Sequence, residues 1–527
     1  MCTNTRIRIA LLFIAIAGLG VAILLLPLFS AIFWLTTSIA ILSLAIALTS
    51  FCLSMYSSRL KTVRALTIAP VTALIILMFV IGQAGFELWQ ISGSIHTFKS
   101  VENHTNDDSR PIHIAYLKLT RNTANTSDNP IVYLAGGPGG SGTMTMYKYG
   151  RYDAFLAMRD AGDVIVYDQR GTMPWAGDWS PCKTTWQPAM EFEPNKFIAQ
   201  KTQAIQRCAK EFKAEGKDPS QFTTNNNAHD LEVLRQSLGV NKLRFWATSY
   251  GTHLALAYIK LYPNNVESAV FHGTEGLNDT LKTPYQVQNS LEALALYNAE
   301  QTSTVDKVNK VDKSIGLLNT IYTVLKKADK GELKVIYGDE DQYSFAISKW
   351  EIQFYISQML RNKSSSEKLI KYVNNALKGN TDGFSAWAWT MRTSKREALM
   401  PAYTDCASYA TKKQLKLIAS QKEHTLLGDA INFPFPQICK DINALDLGDQ
   451  FRSNFNSDVP ILFISGSFDA RTPVENARNT AEYFSNAQEL ILPNAGHGNE
   501  LFFSSPGIIN SVVEFFSNTE GQTSRRH

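Results

Sequence analysis

Three residues far apart along the chain are of types that together perform nucleophilic acyl chemistry. Ser249 lies in "FWATSYGTHLA", Phe245 to Ala255, between an apolar run and what reads as the start of a helix. Asp469 lies in "ILFISGSFDARTP" and His497 in "LILPNAGHGNE". A serine hydroxyl is a weak nucleophile alone. It needs a base to take its proton, an acid to orient that base, and donors for the oxyanion that forms. The layout around Ser249 follows G-x-S-x-G, where small residues flank the serine because the backbone folds back on itself. Gly251 fits that pattern, and Ala247 stands where the first glycine is usual. Serine is also a common helix N-cap, and for this segment read alone that structural role competes with the chemical one.

Other segments supply candidate partners. "LAGGPGGSG", Leu134–Gly142, lets the backbone approach a ligand closely and aim amides at it. It suits one half of an oxyanion hole, the other half being the Tyr250 N–H. A phosphate-binding loop is the alternative, but Lys and Ser/Thr do not follow in P-loop spacing. "YDQRGT", Tyr167–Thr172, adds Asp168 and Arg170, read as a buried ion pair bracing the glycine loop. Glu275, Glu351 and Asp405 are candidates for holding a substrate amine, each competing with a role as a solvated surface charge. Trp350, Trp387 and Trp389 are candidates for an apolar pocket or for helical core. The nine histidines form no H-x-x-x-H or H-E-x-x-H pattern, so no metal and no cofactor is expected, and His253 reads as packed on its helix.

The elements that must position these residues alternate. Strands are expected at His113–Leu119, Ile131–Ala135, Asp163–Tyr167, Leu243–Ala247, Ala269–His272, Ile461–Ser465 and Glu489–Leu492. Helices are expected at 199–213, 228–238, Tyr250–Leu261, Val474–Phe484 and Gly507–Ser517. Short, continuously apolar strands alternating with helices imply an α/β fold with a mostly parallel sheet covered on both faces. Ser249, Asp469 and His497 each fall just past a strand. From 277 to 440 apolar residues recur at helical spacing and strand signals thin out, which reads as a mostly helical insertion.

The charge of +4 on 527 residues implies no nucleic-acid partner. The N-terminal part differs sharply from the rest. From Ile9 to Phe86 the only charges are Arg59, Lys61 and Arg64, and three apolar runs, 9–29, 31–53 and 66–86, are each about the ~20 residues that cross a bilayer. Three transmembrane helices in a membrane segment 1–89 are therefore expected. Arg6, Arg8 and the 59–64 cations place the N-terminus in the cytoplasm and everything after Trp89 outside, with the lipid bilayer as a partner. Cys182, Cys208, Cys406 and Cys439 then suit disulfides, and pairing 182 with 208 and 406 with 439 closes two short loops.

With "GGPGGSG" at 136–142, "DQRGT" at 168–172, "HDLEVLRQSLG" at 229–239, "SYGT" at 249–252, "GSFDARTP" at 466–473 and "NAGHG" at 494–498, the chain resembles the prolyl aminopeptidase and tripeptidyl aminopeptidase family of α/β-hydrolases. The resemblance covers about 131–276 and 440–517. It implies an α/β-hydrolase core in two parts, 90–276 and 441–527, with a helical cap at 277–440 that recognises a free peptide N-terminus. It implies Ser249 as nucleophile, Asp469 as acid, His497 as base, and the Gly137 and Tyr250 amides as oxyanion donors. The family's usual His before GGPG is Ala135 here. The expected function is a membrane-anchored extracytoplasmic serine exopeptidase acting on peptides. An esterase with the same triad, and a non-enzymatic receptor on the same fold, stay open as alternatives.

Overall fold

A computed structural model describes residues 95–523 apart from 124–125, 148–149, 174–180, 184–191, 303–306, 338–342 and 394–395. The chain divides into two units, Met1–Ile95 and His96–His527, and the described residues after Ile95 belong to the second.

An eight-stranded sheet organises this unit. Its strands are β1 (Ile95–Val101), β2 (Pro111–Leu119), β3 (Ile131–Leu134), β4 (Val164–Tyr167), β5 (Leu243–Ser249), β6 (Val266–Thr274), β7 (Ile461–Gly466) and β8 (Ala487–Leu492). They lie in the order β1-β2-β4-β3-β5-β6-β7-β8. β2 runs antiparallel to β4, while β4, β3, β5, β6, β7 and β8 run parallel to one another. Every residue of β3, β4 and β7 is buried. This explains the unbroken apolar runs: helices cover both faces, so neither face needs polar side chains. Val132, Phe245, Ala269 and Phe463 pack from the central strands against α1 (Thr224–Ser237) and α2 (Tyr250–Leu261) in one apolar cluster.

The chain leaves the sheet at Thr274 and returns at Ile461. Between them lie α3 (Pro284–Thr302), α4 (Lys307–Asp329), α5 (Lys349–Met359), α6 (Lys363–Leu377), α7 (Asp382–Thr393), α8 (Leu399–Ser408) and α9 (Lys412–Gln421). A small antiparallel ladder pairs Lys334–Tyr337 with Tyr343–Ala346. α3 to α7 share a second core built on Leu291, Ile321, Ile352 and Val373, which also takes in Ala470 beside Asp469. The insertion is thus packed directly against the acid loop.

The expected fold class requires one correction. Among the described residues no helix is long and apolar enough to cross a membrane. The two long helices Pro194–Ala214 and Lys307–Asp329 each carry several lysines, whose transfer into hydrocarbon is costly. The runs 9–29, 31–53 and 66–86 lie outside the described residues. The fold class supported is the α/β-hydrolase fold, and no described helix supports the three transmembrane helices expected ahead of it. The multi-pass, extracytoplasmic placement built on them loses its support too, because the flanking cations orient a span only where there is one.

Cys406 and Cys439 form a disulfide with Cα atoms 5.1 Å apart. Cys208 is also disulfide-bonded. The side chain of Cys182, expected to pair with it, lies outside the described residues.

Candidate active site

Ser249 ends β5 and opens α2 with φ 55° and ψ −127°. Such a backbone conformation costs a non-glycine residue on the order of 1–3 kcal/mol and persists only where its surroundings impose it. The neighbours do so. A Cβ on Gly251 would collide with the Leu134 carbonyl oxygen, and one on Gly136 would lie 2.9 Å from the Ser249 Cβ. The sharp turn needs small residues on both sides. Ala247 sits fully buried between Leu134 of β3 and Phe271 of β6, so its methyl is accommodated by the sheet. The Ser249 side chain makes no capping bond to its helix. Its Oγ lies instead 3.1 Å from His497 Nε2.

His497 Nδ1 lies 2.7 Å from Asp469 Oδ2. Asp469 is 1% exposed. Its carboxylate accepts from the backbone N–H groups of Arg471 (2.8 Å) and Thr472 (2.9 Å) and from the Thr472 hydroxyl (2.6 Å). Burial alone raises this carboxyl's pKa. The His497 imidazole and the bonds from His497 and Thr472 outweigh that and hold it below the ordinary value. An ionised carboxylate only accepts, so Nδ1 carries the proton and Nε2 is left to accept from Ser249.

The insertion holds the histidine loop from the far side. The His497 N–H donates to the Arg361 carbonyl oxygen. The carboxylate of Glu500 accepts from the N–H of Gly496 at 2.7 Å and from that of Lys363 at 2.9 Å. These positioning contacts were invisible in the sequence: Arg361 and His497 are neighbours only in the folded chain.

A cavity of about 70 Å³ opens at Ser249 and is lined by Gly137, Glu275, Asp405, Phe433 and Arg471, among others. Gly137 has φ 134°, a conformation that disfavours a side chain. Tyr250 is buried, and its backbone N–H follows the serine directly. Glu275 lies 3.0 Å from Lys282 Nζ. Among the described residues none donates a hydrogen bond to the Asp405 carboxylate. Burial, then the charge of Glu275, pushes that carboxyl well above the usual range. The Thr280 hydroxyl on the same wall is buried and has no partner among the described residues.

Other candidates are placed elsewhere. Glu351 forms a buried pair with Arg392 at 2.7 Å inside the helical insertion and does not line the cavity. Trp350 packs on Phe433 with ring centres 4.8 Å apart, one layer behind the wall. Trp387 meets Tyr355 and Trp389 stacks on Tyr337. His253 is buried, with Nε2 3.0 Å from the Ser408 hydroxyl. Arg170 engages Asp230 through Nε and Nη2, while Asp168 bonds to the end of the glycine loop. The brace on that loop is therefore a hydrogen-bonded carboxylate, not the expected Asp168–Arg170 ion pair.

Residues 129–305 match the family described as alpha/beta hydrolase fold, and residues 434–525 match the family described as TAP-like protein. The chain belongs to the α/β-hydrolases. It is 31% identical over 154 residues to a tripeptidyl aminopeptidase of Streptomyces lividans, which covers 28% of this chain and 29% of that protein. This hydrolase thus spans under a third of the length of the curated tripeptidyl aminopeptidase it matches. It is 23% identical over 389 residues to the putative hydrolase YuaR of Escherichia coli, over 70% of this chain and 73% of that one. Among solved structures, a thermophilic esterase from Thermogutta terrifontis covers 80% of this chain and 99% of its own, with 14% identity and a TM-score of 0.34.

Proposed function

We propose that this hydrolase is a serine peptidase that cleaves peptides from a free N-terminus. The observation that carries the reading is the continuous contact Ser249–His497–Asp469 beside a cavity whose walls hold Glu275 and Asp405. In this reading His497 Nε2 takes the Ser249 proton as Oγ attacks the scissile carbonyl. Asp469 stays ionised and stabilises the imidazolium. The Gly137 and Tyr250 N–H groups hold the oxyanion, each worth about 3 kcal/mol in such sites. His497 then protonates the leaving amine, and water, activated by the same imidazole, hydrolyses the acyl-enzyme.

The substrate's ammonium group would sit between Asp405 and Glu275. Lys282 already neutralises Glu275, so Asp405 is the stronger of the two anchors. Burial makes its ionisation costly, and an arriving cation would favour the ionised form. The Thr280 hydroxyl offers an acceptor to the same ammonium group. We further propose that 90–276 and 441–527 form the hydrolase core and 277–440 its cap, which contributes Asp405 and Phe433.

The test compares an aminoacyl arylamide, the same compound acetylated at its amine, and a simple ester. We expect turnover of the free-amine arylamide and loss of it on acetylation. Equal turnover of the blocked and free compounds would favour an esterase. A fluorophosphonate should label Ser249, and absence of labelling on folded protein would overturn the catalytic reading altogether.

A further inference from the structure

The glycine loop 136–142 has little of its own to hold it in place. Gly136, Gly137, Gly139 and Gly140 offer no side chains, and the loop's internal bond is Gly140 N–H to the Gly136 carbonyl oxygen at 3.0 Å. Glycine-rich backbone loses the most conformational freedom on ordering, so a fixed amide at Gly137 must be imposed from outside.

The two residues that follow β4 hold the loop at both ends. Asp168 is fully buried and grips the far end. Its carboxylate accepts from Ser141 Oγ at 2.7 Å, the Thr143 N–H at 3.0 Å and Thr143 Oγ1 at 2.7 Å. Gln169, also fully buried, grips the near end by donating from Nε2 to the Ala135 carbonyl oxygen at 2.7 Å. Its own Oε1 accepts from Asn227 Nδ2 at 3.3 Å, and Asn227 Oδ1 accepts from the Tyr167 hydroxyl at 2.8 Å. The Gln169 amide is thus oriented before it meets the loop. Pro401 from α8 closes the third side, 2.7 Å from where a Cβ on Gly139 would stand.

We propose that Asp168 and Gln169 are positioning residues that set the Gly137 amide for oxyanion stabilisation, by clamping the glycine loop at Ala135 and at Ser141–Thr143. The inference rests on the catalytic reading above, and it assigns to two side chains remote from the substrate a share of transition-state binding. Misplacing a catalytic group by about 1 Å costs on the order of 10²-fold, and it should do so without weakening ground-state binding.

Gln169→Glu is the decisive variant. It is nearly isosteric, and as a carboxylate it cannot donate to the Ala135 carbonyl; Gln169→Met, which cannot donate in any protonation state, is made beside it and should behave alike. Thr143→Val removes one donor to Asp168 at the other end, and Thr143→Ser keeps it. For each we would measure kcat and KM on an aminoacyl arylamide, the rate of labelling by a fluorophosphonate, whose phosphoryl oxygen needs the same amide, and the melting temperature. We expect Gln169→Glu to lower kcat and labelling rate together by about 10–100-fold, with KM within about two-fold. We expect Thr143→Val to do so more weakly, and Thr143→Ser to recover the loss. Unchanged kcat in a folded Gln169→Glu protein would overturn the proposal, as would a rise in KM alone. If the unsubstituted protein is not labelled at Ser249, the catalytic reading fails. If it is labelled and the variants match it, only the clamp fails.

Discussion

Two ends of the candidate active site, one at Asp469 behind His497 and one at Asp405 in the cavity wall, use the same residue type to opposite effect. At the catalytic end Asp469 is buried, yet two backbone amides, a threonine hydroxyl and an imidazole turn toward it, and its carboxyl is held below the ordinary value. At the other end Asp405 sits beside another carboxylate with no donor among the described residues, and its carboxyl is pushed well above. Nearby Asp279, with the single N–H of Gly276 and with Glu275 close by, is pushed up to about 6, chiefly by burial. Burial acts upward in all three, and the donors supplied decide the outcome. Asp469 has hydrogen-bond donors within the fold, whereas the Lys282 and Arg471 cations act on Asp405 without reversing the effect of burial.

Removing the compensation at the catalytic end should have the largest effect. Asp469→Asn keeps the shape but lets His497 take the wrong tautomer, and kcat should fall about 10⁴-fold. A fall below ten-fold in steady-state assays would break the contrast by showing that Asp469 does not orient the base. The second effect belongs to the open end. Asp405→Asn should cost a free-amine arylamide about 10–100-fold in kcat/KM, the scale of one charge-assisted bond, and leave a simple ester untouched. Equal losses on both substrates would mean that Asp405 holds the cavity and not the amine. The acid limb of kcat/KM should also lie above the ordinary carboxylate range, since a raised carboxyl loses its charge early as pH falls, and it should move in Asp405→Asn.

A third prediction concerns stability. The Asp279 carboxyl is at about 6 in the fold against an ordinary 3.8. The folded protein therefore binds the extra proton, and this contribution is complete below about pH 3.8 and lost as pH rises through 6. At pH 8 Asp279→Asn should raise the melting temperature by about 2–4 °C, and the gain should vanish near pH 4. A gain that does not depend on pH would refute the assigned cause. The smallest effect is expected at Ala247. Its methyl is already packed between Leu134 and Phe271, so Ala247→Gly should leave kcat on an arylamide unchanged. A faster variant would mean that the methyl distorts the elbow.

The strands that precede the candidate triad residues were legible because each is short, rich in apolar residues and closed by a turn. Leu243–Ser249 and Ile461–Gly466 follow the expected positions to within two residues. The order Ser249, Asp469, His497 could be read because each residue follows its own strand. Apolar length alone cannot tell a bilayer from any other apolar surrounding, and no described helix supports the three transmembrane helices read from it. The partner of Arg170 was missed for another reason. Asp230 lies one helix further along the chain and reaches Arg170 only through packing.

By itself the sequence determined which residues lie at strand ends and therefore which groups can converge at one edge of a parallel sheet, because apolar runs and glycine turns are local signals. It also determined that the serine's flanks are small. Only the tertiary structure decided what surrounds each carboxylate. Donors to Asp469 come from its own turn and from His497, whereas Asp405, Glu275 and Lys282 meet across the join between insertion and sheet. Whether a buried acid is compensated depends on its spatial neighbours, and for Asp405 two of them, Glu275 and Lys282, lie more than a hundred residues away in sequence.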